Sequence, residues 1–294
     1  MMKNDLDIEG ALPASPIATG LPGSVGAAPL HATTRGAVLD PFGFPSAHLL
    51  GVGGCGMSSI ARALMAAGVE VSGTDVAESA ATRQLRDSGA RIFIGHEARN
   101  LHGPGGVHPA VVIVSTAIRA GNCELAEARR LGLRVIHRGE ALAMFLRSRK
   151  SILITGAHGK TTTTAIAGML LAAAGLDPWV FVGGSVPAFN GNTRVGGLEW
   201  AVAEADESDG TFERLPADHL ICTNIDDDHL DYWKTSEALR AGYERVLSGV
   251  APGGIIMACL DDPGVCEVRR LVDRRILAYG LCAGGGNYSA GSVL

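Results

Sequence analysis

Two glycine loops constrain this chain more than any other feature. Each lies between a short apolar run and a segment with helical patterning. The first is Gly51-Val52-Gly53-Gly54-Cys55-Gly56, after "AHLL" and before "MSSIARALMAAG". The second is Gly156-Ala157-His158-Gly159-Lys160-Thr161, after "SILIT" and before "TTTAIAGMLLAAAG". A strand feeding a helix through glycines leaves free N–H groups at the helix N-terminus. With the helix dipole, these favour an anion. Two such units predict an α/β chain with phosphate chemistry in both.

The first loop satisfies G-x-G-x-x-G. Asp75 ends the next apolar run, where an acid can bind a ribose or base. The pattern predicts a pyrophosphate-bearing ligand and leaves NAD and a nucleotide-diphosphate sugar both open. The second loop is a shortened P-loop, with Ile154 where a full Walker A pattern has glycine. Lys160 is placed to neutralise the β/γ oxygens of a nucleoside triphosphate, and Thr161 to hold Mg²⁺.

Mg²⁺ prefers oxygen ligands and few of them from protein. Candidate acids therefore lie at the ends of strands near the second loop. "VAEADESDG" offers Glu204, Asp206, Glu207 and Asp209, and "TNIDDDHLD" offers Asp226, Asp227, Asp228, His229 and Asp231. Glu204 stands out because it remains in strand register after "WAVA", where an unpaired carboxylate is costly and a metal would offset the cost. Most of the other acids read as solvated loop charges. His229 reads equally as a helix-start residue or a ligand.

Residues 1–46 are rich in Gly, Pro, Ala, Ser and Thr, and read as a disordered extension. From residue 47 the pattern alternates between strand and helix. It predicts a Rossmann-like domain over 47–149 and a P-loop ATP-binding domain over 150–294. The last stretch, "CAGGGNYSAGSVL", supplies no closing helix, so the second domain reads as incomplete. A length of 294 residues with 47% apolar content suits two such domains. A net charge of −5 gives no basic face for nucleic acid. No apolar run is long enough for a membrane helix. The N-terminus, with Asp5, Asp7 and Glu9, lacks the form of a signal peptide. Six scattered cysteines without a CxxC pair predict a reduced, cytoplasmic protein.

Four motifs occur in one order: GVGGCGMSSIA, GAHGKTTTT, EADESD and TNIDDDHLD. That order resembles the Mur ligases of bacterial cell-wall synthesis. "STAI" at 115–118 and "NTRVGG" at 192–197 resemble further segments of that family. The resemblance covers roughly residues 47–294 and is more specific than either loop alone.

The resemblance implies ATP and Mg²⁺, with UDP-N-acetylmuramate and L-alanine as substrates. It implies that Gly53, Gly54, Gly56, Met57 and Ser58 line the pyrophosphate site and that Asp75 faces the uridine. Ser115, Thr116 and Ala117 would contact the same ligand, His158 and Arg194 its acidic sugar end, and Asn192 would also bind substrate. ATP would lie on Gly156, Ala157, His158, Gly159, Lys160, Thr161 and Thr162, with Asn224 beside it. Lys160, Glu204 and His229 would carry catalysis, and Thr161, Glu204 and His229 the metal. The implied reaction transfers the γ-phosphoryl of ATP to the sugar carboxylate, and the amino group of L-alanine then attacks the acyl phosphate. Such a reaction needs positioning and charge neutralisation more than a protein nucleophile.

Two substitutions depart from the family pattern. Ala157 stands where the family usually has threonine, which removes a hydroxyl but no backbone N–H. Ser59 replaces a common glycine. The family also carries a C-terminal domain that closes over ATP, and no counterpart of it is read here. Three other readings compete: a non-catalytic UDP-sugar and nucleotide-binding fragment, the recycling ligase that adds a whole peptide, and an NAD-dependent oxidoreductase. The last rests on Gly51–Gly56 and Asp75 alone and leaves the second loop and Glu204 unexplained.

Overall fold

Two parallel sheets, each with a glycine loop at the end of a central strand, organise the chain. The computed structural model describes residues 41–281. The first 40 residues of the predicted extension and the closing "CAGGGNYSAGSVL" lie outside them.

The first sheet and its helices run β1 (Ser46–Leu50), α1 (Cys55–Ala66), β2 (Glu70–Asp75), α2 (Ala80–Asp87), β3 (Arg91–Ile94), β4 (Val111–Val114), α3 (Cys123–Arg130), β5 (Arg134–His137) and α4 (Arg138–Arg147). Its strand order is β3-β2-β1-β4-β5, with every pairing parallel. The order reverses direction between β1 and β4. That crevice at the carboxyl ends of the strands is where doubly wound sheets bind ligands.

The second sheet is built from β6 (Lys150–Thr155), α5 (Lys160–Ala173), β7 (Trp179–Val186), β8 (Gly191–Arg194), β9 (Trp200–Glu204), β10 (His219–Cys222), α6 (Leu230–Trp233), α7 (Ser236–Ser248), β11 (Ile256–Cys259), α8 (Pro263–Arg269) and β12 (Ile276–Tyr279). Its order is β12-β11-β10-β6-β9-β7-β8, parallel except for the β7–β8 hairpin. β6 is central and ends in the second glycine loop. α5 begins with four threonines of modest helix propensity. Its place is fixed by packing: a side chain at Gly168 would meet Val180 of β7 at 2.5 Å.

The two sheets belong to one compact unit. Their seam is partly aromatic. Phe145 on α4 meets Trp179 and Phe181 on β7 edge-on, with centroids 5.1 and 5.2 Å away. It is also polar. Asn192 on β8 donates through Nδ2 to the Cys55 carbonyl and, at 3.1 Å, to Ser58 Oγ, while Thr193 and Ser59 hydroxyls lie 2.7 Å apart.

The structure corrects the sequence reading in three places. Order starts before residue 47: Phe42 and Phe44 are buried, and Phe42 packs on Phe145. Two aromatics in a Gly/Pro-rich stretch carry no periodicity, so the pattern hides them. Helix α2 carries little helical period for a sequence reading to find, because its only buried apolar residue is Leu85; a capping box between Ser79 and Thr82 starts it. Edge strands β5, β8 and β12, of four residues each, are likewise too short to show a period.

Candidate active site

The first glycine loop turns from β1 into α1 and opens on a cleft of about 1000 Å³. Gly53, Gly54, Gly56, Met57, Asp75, Ser115, Thr116 and Ala117 all line it. Topology brings them together: the loop after β1, the end of β2 and the turn after β4 meet at the switch point. Asp75 fastens the loop, since its Oδ2 accepts the Gly53 N–H at 2.8 Å. A side chain at Gly53 would strike that carboxylate at 2.9 Å, which explains the glycine.

Ser58 is not among these residues. It is 1% exposed and lies on the seam, donating to the Cys55 carbonyl and accepting from Asn192. Asn192 is itself buried there. Arg194 stands further off. Its guanidinium binds Asp177 at 2.7 Å and the Pro178 carbonyl at 2.6 Å, before β7 begins and away from the strand ends that carry the second loop. Ser58 and Asn192 also line, with Gly53 and Cys55, a separate cavity of about 500 Å³, so both face open space while holding the seam; Arg194 is engaged by Asp177 and Pro178.

The second loop turns at Gly156 (φ +134) and Gly159 (φ +79). Asn224, two residues past the end of β10, braces it: its Oδ1 accepts the His158 N–H at 2.7 Å and its Nδ2 donates to the His158 carbonyl at 3.0 Å. The His158 ring is exposed and lies 3.6 Å from Asp226. Thr162 is exposed on the first turn of α5. Lys160 folds over the loop. Its Nζ donates to the Gly156 carbonyl at 2.7 Å, to Ala157 at 3.2 Å and to Glu207 at 2.8 Å.

Glu207 is the residue that sequence reasoning missed. Read as solvated, it is 1% exposed. Burial continues past the end of β9: Ala205 and Glu207 are as buried as Ala201, Val202 and Ala203 within it. Glu204, by contrast, is half-buried and already partnered. It accepts from the Thr161 hydroxyl at 2.9 Å and from the Gly183 N–H at 2.7 Å. Thr161 and Glu204 thus meet at hydrogen-bond distance. His229 groups with Asp206 and Glu207, whose donor atoms and its own lie within 4.8 Å of one another.

Arg138, at the start of α4, is the second missed residue. It lines both the large cleft and a smaller cavity of about 260 Å³ between the sheets. Gly56 lines both as well, and the small cavity continues to Gly183, Glu204 and Asp206. Arg138 is held 3.2 Å from Asp209. Burial opposes ionisation of Asp209, but hydrogen bonds from Thr211 and the charges of Arg138 and His137 hold its carboxyl below the usual range.

The arrangement is two strand–glycine–helix loops and a cavity that reaches from Gly56 of the first to Glu204, which accepts from Thr161 beside the second. Residues 46–150 match the family model "Mur ligase family, catalytic domain", and residues 154–292 match "Mur ligase middle domain". The chain belongs to the Mur ligase family. It is 46% identical over 237 residues to the UDP-N-acetylmuramate–L-alanine ligase of Paracoccus denitrificans, covering 80% of this chain and 49% of that one. It is 44% identical over 241 residues to the enzyme of the same name from Gluconobacter oxydans, covering 82% and 50%.

The solved UDP-N-acetylmuramate–alanine ligase of Thermotoga maritima superposes with a TM-score of 0.70 at 29% identity, covering 80% of this chain and 52% of that one. A Neisseria meningitides ligase named for UDP-N-acetylmuramate and an L-alanyl-γ-D-glutamyl-meso-diaminopimelate peptide superposes at 0.72 with 22% identity, over 80% and 78%, and shares the fold. The chain spans about half the length of the curated relatives it matches. No helix among the described residues is long and apolar enough to cross a membrane.

Proposed function

We propose that this Mur ligase chain binds UDP-N-acetylmuramate in the large cleft and ATP on the second loop, as part of an enzyme that joins L-alanine to the sugar carboxylate. The cavity lined by Gly56, Arg138, Gly183 and Glu204 carries the reading, because it runs from the first loop at Gly56 to Glu204, the carboxylate that accepts from Thr161 just after the second loop. A pyrophosphate seated on the start of α1 leaves the sugar acid directed through that cavity toward the γ-phosphate. The names of the relatives support the substrates.

Each residue then has a chemical task. The N–H groups of Gly159, Lys160 and Thr161 cradle the phosphates, since those of Ala157 and His158 are held by Asn224, and Lys160 exchanges Glu207 for phosphate oxygens. Arg138 offsets carboxylate or phosphate charge at the passage. Thr161 and Glu204 present hard oxygen donors at hydrogen-bond distance, a set that fits Mg²⁺. Asp206, Glu207 and His229 form a second group of possible ligand atoms. When bound, Mg²⁺ would neutralise charge on the β- and γ-oxygens. With no water or side chain acting as nucleophile, the incoming amine completes the amide. A cytoplasmic setting accords with the five described cysteines, all free.

The test is phosphate release from ATP with Mg²⁺, UDP-N-acetylmuramate and L-alanine, each omitted in turn, beside a Lys160→Ala control. Release that needs all components and is lost in the control supports ligation. Tight UDP-N-acetylmuramate binding by calorimetry without release supports the binding-fragment reading. Release that needs a peptide in place of L-alanine supports the recycling ligase.

A further inference from the structure

Beneath the wall of the large cleft runs a polar chain that the proposed reaction does not use. Glu124, on α3, is fully buried. Its Oε1 accepts from the Thr74 hydroxyl and from Asn100 Nδ2, both at 2.8 Å, and His96 Nδ1 lies 2.8 Å from Oε2. Behind Thr74, His48 Nε2 is 3.0 Å from the Thr74 hydroxyl, and His48 Nδ1 is 2.9 Å from Ser72 Oγ. Each donor in this chain has one acceptor when Ser72 donates to His48, His48 to Thr74 and Thr74 to Glu124.

Burial alone would raise the Glu124 carboxyl. His48 beside it and hydrogen bonds from His96, Asn100 and Thr74 hold it at about 2 instead. Glu124 is therefore an acceptor at neutral pH, and His96 Nδ1 must carry the hydrogen it shares with Oε2. The hydrogen bond made by one ring nitrogen sets the role of the other. In the neutral ring, Nε2 is left with a lone pair. His96 lines the cleft, its side chain is 17% exposed, and among the described residues Nε2 has no hydrogen-bond partner.

An acceptor presented to a nucleotide cleft suits an N–H donor. Uracil offers N3–H, whereas cytosine presents a lone pair at N3. The layout agrees: with the pyrophosphate on the first glycine loop and the ribose beside Asp75, the base extends past β2 toward β3. Asp75 pairs with Ile94 there, and His96 follows two residues on. We propose that His96, oriented by Glu124, selects uracil over cytosine in this cleft. Glu124 acts through His96 and is a positioning residue. The inference rests on the reading that the cleft holds a nucleoside diphosphate.

Calorimetry with UDP and CDP at pH 8 tests it, using the wild-type chain, His96→Phe and Glu124→Gln. The wild type is expected to favour UDP by roughly tenfold or more, the weight of one well-placed hydrogen bond. His96→Phe keeps a ring but no acceptor, so the ratio falls toward one through weaker UDP binding. Glu124→Gln no longer fixes the tautomer and narrows the ratio. Independently of any variant, ¹⁵N chemical shifts of His96 should show Nδ1–H and an unprotonated Nε2. An Nε2–H tautomer, or a UDP preference retained in His96→Phe, overturns the role of His96 and leaves the cleft reading standing. Failure of the wild type to bind UDP overturns both.

Discussion

The Lys160 ammonium lies 2.8 Å from Glu207 Oε2, and the two side chains are only 10% and 1% exposed. A lysine that would neutralise phosphate in the proposed complex is thus neutralised by the protein in its absence. Glu207 keeps the ammonium at the loop, and an arriving triphosphate competes with it.

Removing Glu207 should be costly. Breaking a buried ion pair leaves an uncompensated charge, with typical losses of 3–5 kcal/mol. Lys160 retains two carbonyl partners, so Glu207→Gln is expected to lower stability by about 3 kcal/mol, at the lower end of that range. Urea denaturation measures it. An unchanged midpoint would show that the pair contributes nothing.

Gly156→Ala tests the second loop. The backbone there has φ +134, and a methyl group would lie 2.1 Å from Thr223 Oγ1 and 2.8 Å from the Asn224 carbonyl oxygen. Strain of this kind costs roughly 1–3 kcal/mol. The variant should lose ATP binding, read by fluorescent-nucleotide titration, while UDP binding in the other cleft persists. Normal ATP affinity would contradict the cradle assigned to this turn.

Asn192 distinguishes a seam residue from a ligand residue. Its amide bonds the Cys55 carbonyl and Ser58 across the two sheets. Asn192→Ala should lower the melting temperature, with a loss of about 1–2 kcal/mol from unpaired buried groups. UDP-N-acetylmuramate affinity should change little. A large affinity loss with unchanged melting would restore the substrate role that the sequence pattern suggested.

Glu124 predicts an acid limb in stability. Its folded pKa of about 2 lies below the ordinary carboxylate value of 4.5. A depressed carboxylate stabilises above its unfolded pKa and loses that contribution as pH falls through the folded value. Stability should therefore decline between about pH 4.5 and 2, and Glu124→Gln should flatten that part of the profile. An identical acid limb in the variant would remove Glu124 as its cause.

Much of the fold was legible because both loops sit in strand–turn–helix contexts whose periods are clear. Short edge strands were not, since four residues cannot display a period. The site divided along a similar line. Gly53, Gly56, Lys160 and Thr161 belong to contiguous motifs, where local geometry fixes what the backbone offers. Ser58 belongs to such a motif too, yet Asn192, 134 residues away, claims its hydroxyl. Glu207 looked like one more loop acid, and Arg138 lay in no motif at all.

The sequence by itself determined that two strand–glycine–helix units would present backbone N–H groups to anions, because glycine placement and helix polarity are local properties. Only the tertiary structure decided which charges meet. Burial of Glu207 against Lys160, Arg138 facing Asp209 across 71 residues, and Glu124 orienting His96 across 28 all depend on chain crossings. Pair energies depend steeply on distance and solvent exclusion. Neither quantity exists until the sheets have formed.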